Sequence, residues 1–144
     1  MNLVLLFATS LLVQSAAESE DIYLKAKRIH REALTIDAHV DIPFDFASEK
    51  VDPGKRDQRQ VNLPKMIDGG MDAAFFNVYV AQTERTSQAY AVAKKQAQIK
   101  FDAIHRMSES MYPNDIQLAY SSSEVSRIHE AGRLVAMIGI ENGF

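Results

Sequence analysis

Two almost unbroken apolar runs constrain the fold of this chain more than any other feature. They are Ala73-Ala74-Phe75-Phe76-Asn77-Val78-Tyr79-Val80 and Leu134-Val135-Ala136-Met137-Ile138-Gly139-Ile140. Each is of strand length and lacks the polar alternation of a strand with one wet face. Strands apolar on both sides belong in a parallel sheet covered by helices, and the sequence around them supplies such helices. The stretch from about Thr86 to about Met107 is rich in Ala, Lys and Gln and reads as a long helix. Asp115–Tyr120 reads as a third strand, and Ser121-Ser122-Ser123-Glu124 opens a helix reaching Ala131-Gly132.

Upstream, Ile22, Ala26, Ile29 and Ala33 recur at helical spacing across Asp21–Ala33. Leu34–His39 is a short strand, and Pro43 prevents the ladder from continuing. Residues 47–60 are polar, contain Pro53-Gly54 and read as a surface loop. Leu63–Asp68 reads as a short helix closed by Gly69-Gly70. Strand–helix alternation of this kind predicts an α/β fold with a parallel sheet. A complete (β/α)8 barrel takes ~250 residues. The 144 residues here supply roughly half of that and end just beyond a buried strand, so the expectation is the N-terminal part of such a barrel.

Composition excludes several other roles. With no cysteine, disulfide frameworks, thiolate metal sites and cysteine nucleophiles all fall away. The net charge of −3 argues against a nucleic-acid partner, which would demand a basic patch. Met1–Ala17 carries no charged side chain, and its apolar run from Leu3 to Val13 is too short to span a bilayer. Ser15-Ala16-Ala17 provides small residues for a cleavage site ahead of Glu18-Ser19-Glu20-Asp21. Residues 1–17 therefore read as a signal peptide and 18–144 as the barrel domain. The expected destination is the periplasm, the exterior or the cell surface, and no membrane anchor is visible in this segment.

The candidate chemistry sits at strand ends. Side chains alternate along a strand, so His39 and Asp41 of His39-Val40-Asp41 share a face. An imidazole nitrogen and a carboxylate oxygen so placed can chelate one divalent ion, and both suit zinc. Glu141 directly follows the run Leu134–Ile140, where a carboxylate faces a barrel mouth and can bridge two metals. On local evidence a core histidine and a capping aspartate explain the triplet more readily than a metal site, and an exposed strand-to-helix loop explains Glu141 equally well. His30 lies among Lys27, Arg28 and Arg31, while His105 and His129 fall on helices expected to cover the sheet far from strand ends. Asp37 is expected on the His39 face but deeper, in a structural role. A phosphate loop, an H-E-x-x-H and a G-x-S-x-G motif are all absent.

Four stretches in order carry a resemblance. They are Ile36-Asp37-Ala38-His39-Val40-Asp41-Ile42-Pro43; Gln60-Val61-Asn62-Leu63-Pro64-Lys65-Met66 with Gly69-Gly70; Ala74–Val80; and Ile138-Gly139-Ile140-Glu141-Asn142-Gly143. Together the chain resembles the membrane dipeptidases, also called renal dipeptidases. The resemblance implies a (β/α)8 metal-dependent hydrolase that cuts dipeptides by metal-activated water with two zinc ions. It implies His39 and Asp41 as ligands of the first zinc and Glu141 as the carboxylate bridging both. It further implies small dipeptide substrates, and a homodimer of the full-length protein is compatible with it. Two departures stand out: Ala38-His39-Val40-Asp41 where the family often has Gly-His-Asn-Asp, and Glu141-Asn142-Gly143 where it often has Glu-Gly-Gly. At position 142 the family's glycine would permit positive φ, which asparagine tolerates better than most other residues but less freely than glycine. The family's remaining zinc histidines and its catalytic histidine have no counterpart up to Phe144, so the 144 residues alone are expected to be inactive. Rival readings are another barrel amidohydrolase acting on a lactam or lactone, whose first strand usually shows His-x-His, and a non-catalytic secreted binding protein on the same scaffold.

Overall fold

The computed structural model describes residues 21–143, so the signal peptide expected over residues 1–17 lies outside the described residues. Residues 21–32 form helix α1, a unit of its own, with Arg28 paired to Glu32 one turn on at 3.1 Å. The second unit begins at Leu34 and contains the sheet. Its elements are β1 (Ile36–Asp41), α2 (Leu63–Gly69), β2 (Ala73–Tyr79), α3 (Ser87–Arg106), a π-helical turn (Met107–Met111), β3 (Ile116–Leu118), α4 (Ser122–Glu130) and β4 (Leu134–Glu141). Among the described residues no helix is long and apolar enough to cross a membrane.

The three helix starts within the sheet unit are set by side-chain caps. The Asn62 Oδ1 accepts from the Lys65 N–H (3.0 Å), the Thr86 Oγ1 from Ala89 (3.2 Å) and the Ser121 Oγ from Glu124 (3.3 Å). Each satisfies one of the donors a helix leaves unpaired in its first turn. At the far end of α2, Gly70 stands at φ 65°, the left-handed conformation that lets its N–H reach back to the last carbonyls.

All four strands are parallel, in the order β1-β2-β4-β3. Sequence order alone suggests 1-2-3-4, yet β4 inserts between β2 and β3. A parallel crossover is nearly always right-handed, so reversing the direction of travel moves the connecting helix to the opposite face. α3 packs through Ala93, Ala97, Ala103 and Ile104 against the face carrying Val40, Ala74, Phe76, Val78 and Ala136. α4 packs through Val125 and Ile128 against the other face, on Ala73, Val135 and Met137. Both apolar runs are therefore packed on two sides over their N-terminal parts, while Tyr79 and Ile140 at their far ends are exposed.

Three local expectations need correction. β1 starts at Ile36 and runs to Asp41, two residues beyond the expected end, because Pro43 leaves the ladder intact up to Asp41. Its register to β2 shifts by one between Asp37 and Val40, which places Asp37 opposite Ala74 and Val40 opposite Phe76. Ala74 and Phe76 share a face, so Asp37 goes with Val40 and not with His39; its Oδ1 instead accepts the His39 N–H at 2.9 Å. Finally, residues 47–60 are not simply a surface loop. Ala47 and Val51 are buried, Phe46 bridges to Val51, and the Arg106 guanidinium donates to the carbonyls of Ala47 (2.6 Å) and Phe46 (3.2 Å). Those bonds hold Ala47 at φ 54°, a conformation that costs a non-glycine residue about 1 kcal/mol.

Candidate functional site

The C-terminal end of β1 and that of β4 flank β2, and the register puts Asp41 level with Asn77 and Asn77 level with Gly139. Register partners share a face, so Asp41, Asn77, Gly139 and, two residues on, Glu141 lie on one side of the sheet. This is the side whose opposite end is covered by α4. The upper half of the face is thus polar and open, the lower half apolar and packed in part on α4.

Here the structure brings together the three residues singled out in the sequence. The His39 Nε2 lies 3.2 Å from the Glu141 Oε2 and 3.5 Å from the Asp41 Oδ1. One ligand atom from each of the three falls within 4.8 Å of the others. Their side chains are 52%, 73% and 44% exposed for His39, Asp41 and Glu141, so an ion has open access. One imidazole nitrogen and two carboxylates form a donor set suited to zinc, and two like-charged carboxylates held this close gain from a cation between them. Such a donor set fits a divalent metal.

The remaining histidines do not join this group. His105 Nδ1 pairs with Glu109 one turn on at 2.7 Å, and His129 Nδ1 lies 3.5 Å from Asp72, at the opposite end of the sheet. Asp72 in turn accepts from Thr35, through its N–H (2.8 Å) and its hydroxyl (2.9 Å), tying the start of β1 to that of β2. His30 belongs to α1 and not to the sheet unit.

Two residues near the site escaped sequence reasoning. Asn77 is buried at the centre of the site floor, and a Cβ on Gly139 would overlap its Oδ1. Its signal was visible as a lone amide within an apolar run. Lys100, on α3, is 5% exposed, with its ammonium 5.0 Å from the Phe44 ring centre and 5.7 Å from that of Tyr79. Burial pushes its pKa down, while the charges of Asp41 and Glu141 oppose the shift. Nothing in the sequence sets Lys100 apart from Lys94 and Lys95 on the same helix. Beyond Glu141, Asn142 stands at φ 61°, and its Nδ2 donates to the Val80 carbonyl at 3.1 Å.

The family model for "Membrane dipeptidase (Peptidase family M19)" matches residues 24–144. The chain belongs to the membrane dipeptidase family. Among curated relatives, it is 31% identical over 86 residues to "Dipeptidase ataJ" of Aspergillus terreus, covering 57% of this chain and 21% of that protein. It is 27% identical over 144 residues to "Dipeptidase verJ" of Clonostachys rogersoniana, covering 90% of this chain and 36% of the relative. The crystal structure of the probable dipeptidase PvdM from Pseudomonas aeruginosa superimposes with a TM-score of 0.73 at 21% identity, over 82% of this chain and 30% of that one. The fold is therefore the α/β fold of that dipeptidase. The chain spans between about a fifth and somewhat over a third of the length of these dipeptidases.

Proposed function

We propose that this member of the dipeptidase family hydrolyses dipeptides at a zinc centre, and that His39, Asp41 and Glu141 hold the metal. The observation that carries the reading is the meeting of these three side chains within 4.8 Å at the ends of β1 and β4. Zinc, when bound, supplies Lewis acidity toward a peptide carbonyl and lowers the pKa of water toward neutrality. The chain's own residues prepare that place. The Asp37 carboxylate fixes the backbone at His39, which aims the imidazole across β2 toward Glu141. Asn77 and Gly139 form a floor low enough for the side chains from β1 and β4 to meet above it. Following the family resemblance, His39 and Asp41 would serve one zinc and Glu141 would be shared with a second. We also propose export, on the uncharged apolar leader Met1–Ala17.

The test is a panel of dipeptides offered to the purified full-length protein before and after chelation, with zinc then restored. Hydrolysis that is lost with the chelator and returns with zinc is the expected result. Activity indifferent to chelation, or no cleavage of any dipeptide by zinc-loaded protein, overturns the proposal.

A further inference from the structure

A buried lysine is costly unless its charge has a purpose, because an ammonium leaves a strong hydration shell behind. Lys100 is such a residue. It projects from the covering helix α3 to the polar rim, and its ammonium lies against the rings of Phe44 and Tyr79. Those rings are not incidental neighbours of the site. Tyr79 is the register partner of Glu141, and Phe44 follows Asp41 by three residues. Among the described residues no carboxylate comes within 4.0 Å of Lys100, so it has no salt bridge of its own. The carboxylates whose charge acts on it are Asp41 and Glu141, the two acids of the site.

We propose that Lys100 is a positioning residue that sets the metal affinity of this centre: a cation on a largely buried side chain, held against the rings of Phe44 and Tyr79, that balances Asp41 and Glu141 before the metal arrives and repels the metal once it does. The inference rests on the metal-centre reading given above. Without the lysine, two carboxylates would face each other across the floor with only His39 between them. With it, the negative charge gathered at the ends of β1 and β4 is partly offset, at the expense of weaker cation binding. A structural lysine, by contrast, would only pack and would loosen the site when removed.

The sign of one measurement separates these roles. Zinc alone is titrated into the metal-free full-length protein and into Lys100→Met, with affinity read by calorimetry or chelator competition and folding checked by circular dichroism. The expected result is zinc binding tighter by at least about fourfold in Lys100→Met, since a unit charge repels a divalent ion by roughly that factor even at ~10 Å in water, and by more in the less polar surroundings of a buried side chain. Lys100→Arg, which keeps the charge, is expected to return toward the wild-type affinity. Lys100→Gln, with a neutral polar end against the rings, gives the same tightening and replaces the methionine variant should that one not fold. Equal or weaker zinc binding in the neutral variants overturns the role assigned to Lys100 while leaving the metal centre standing. Failure of the wild-type protein to bind zinc overturns both.

Discussion

Removing the hydroxyl of Tyr112 isolates one bond between the segment that follows β1 and the turn that follows α3. That hydroxyl donates to the Asp52 Oδ1 at 2.5 Å, and Asp52 also accepts the Gly54 N–H at 2.9 Å and pairs with Lys55 at 3.2 Å. The bond holds the Tyr112 pKa up at about 12, against an ordinary value of 10.0, with burial and the Asp52 charge adding to the effect. Burial alone would raise Asp52, but the hydrogen bonds from Tyr112 and Gly54 and the pairing with Lys55 outweigh it and hold the carboxyl below its ordinary value. Two pKa units correspond to ~2.7 kcal/mol, and a hydrogen bond to a charged acceptor is ordinarily worth ~1.5–3 kcal/mol. The ring lies where a Cβ on residue 54 would stand, so phenylalanine keeps that packing. Tyr112→Phe is therefore expected to cost ~2 kcal/mol near neutral pH.

The pH dependence follows from the two directions. Asp52 is depressed when folded, so its contribution is present above the unfolded pKa of ~3.9 and is lost as pH falls through the lower folded value. Tyr112 is raised, so its contribution is present below pH ~10 and is lost as pH climbs toward about 12. The gap between wild type and Tyr112→Phe should form a plateau between about pH 5 and 9 and close on both sides. Urea unfolding followed by far-ultraviolet circular dichroism across that range measures it. A gap independent of pH, or one below ~0.5 kcal/mol at pH 7, would refute the assignment of the stability to this bond.

Other consequences are equally direct. Gly139→Ala should lose ~1–3 kcal/mol in thermal or urea unfolding, because its Cβ must displace the buried Asn77 amide, and Asn77→Ala in the same chain should recover part of that loss. Asn62→Ala removes the cap of α2, yet the Asn62 Nδ2 is buried without a hydrogen-bond partner among the described residues; the net cost should fall near ~0.5–1 kcal/mol, and Asn62→Ser should match or exceed wild type. Glu141→Gln should weaken zinc binding at least ~10-fold by calorimetry and leave the unfolding midpoint of the metal-free protein unchanged or higher, since it removes one of two crowded carboxylate charges.

The elements that decide the fold were legible because each depends on local chemistry. The apolar runs at 73–80 and 134–140 read as strands packed on both faces, as they are over their N-terminal parts, and Asn62, Thr86 and Ser121 are polar caps ahead of helical stretches. His39 and Asp41 could be placed on one side of β1 because residues two apart share a face wherever the ladder is regular. The same rule failed for Asp37, since a one-residue register shift leaves no mark in composition or spacing. Residues 47–60 misled for a related reason. The carbonyls of Ala47 and its neighbour Phe46 are satisfied by Arg106, some 60 positions along the chain, and no local rule foresees such a partner. Lys100 was hidden in the same way, since its burial depends on how α3 lies over the end of the sheet.

The strand order lies furthest beyond local reading, and it is also what gives the site its shape. Neighbouring strands lie ~4.8 Å apart, so β1 and β4, separated by β2, stand ~10 Å from each other. Side chains as long as histidine and glutamate close such a gap from both sides, as the 3.2 Å approach of His39 to Glu141 shows, but only above small groups on the strand between. Asn77 meets that condition by leaning into the space that Gly139 leaves. Had β3 taken the place of β4, with its three-residue ladder, the strand beside β2 would have ended before the rim, and no carboxylate would face His39 from across β2. The reversal that inserts β4 also sends α4 to the same face by the handedness rule, packing Val125 and Ile128 on its lower half. One topological step therefore both supports the strands beneath the candidate centre and delivers Glu141 to its rim.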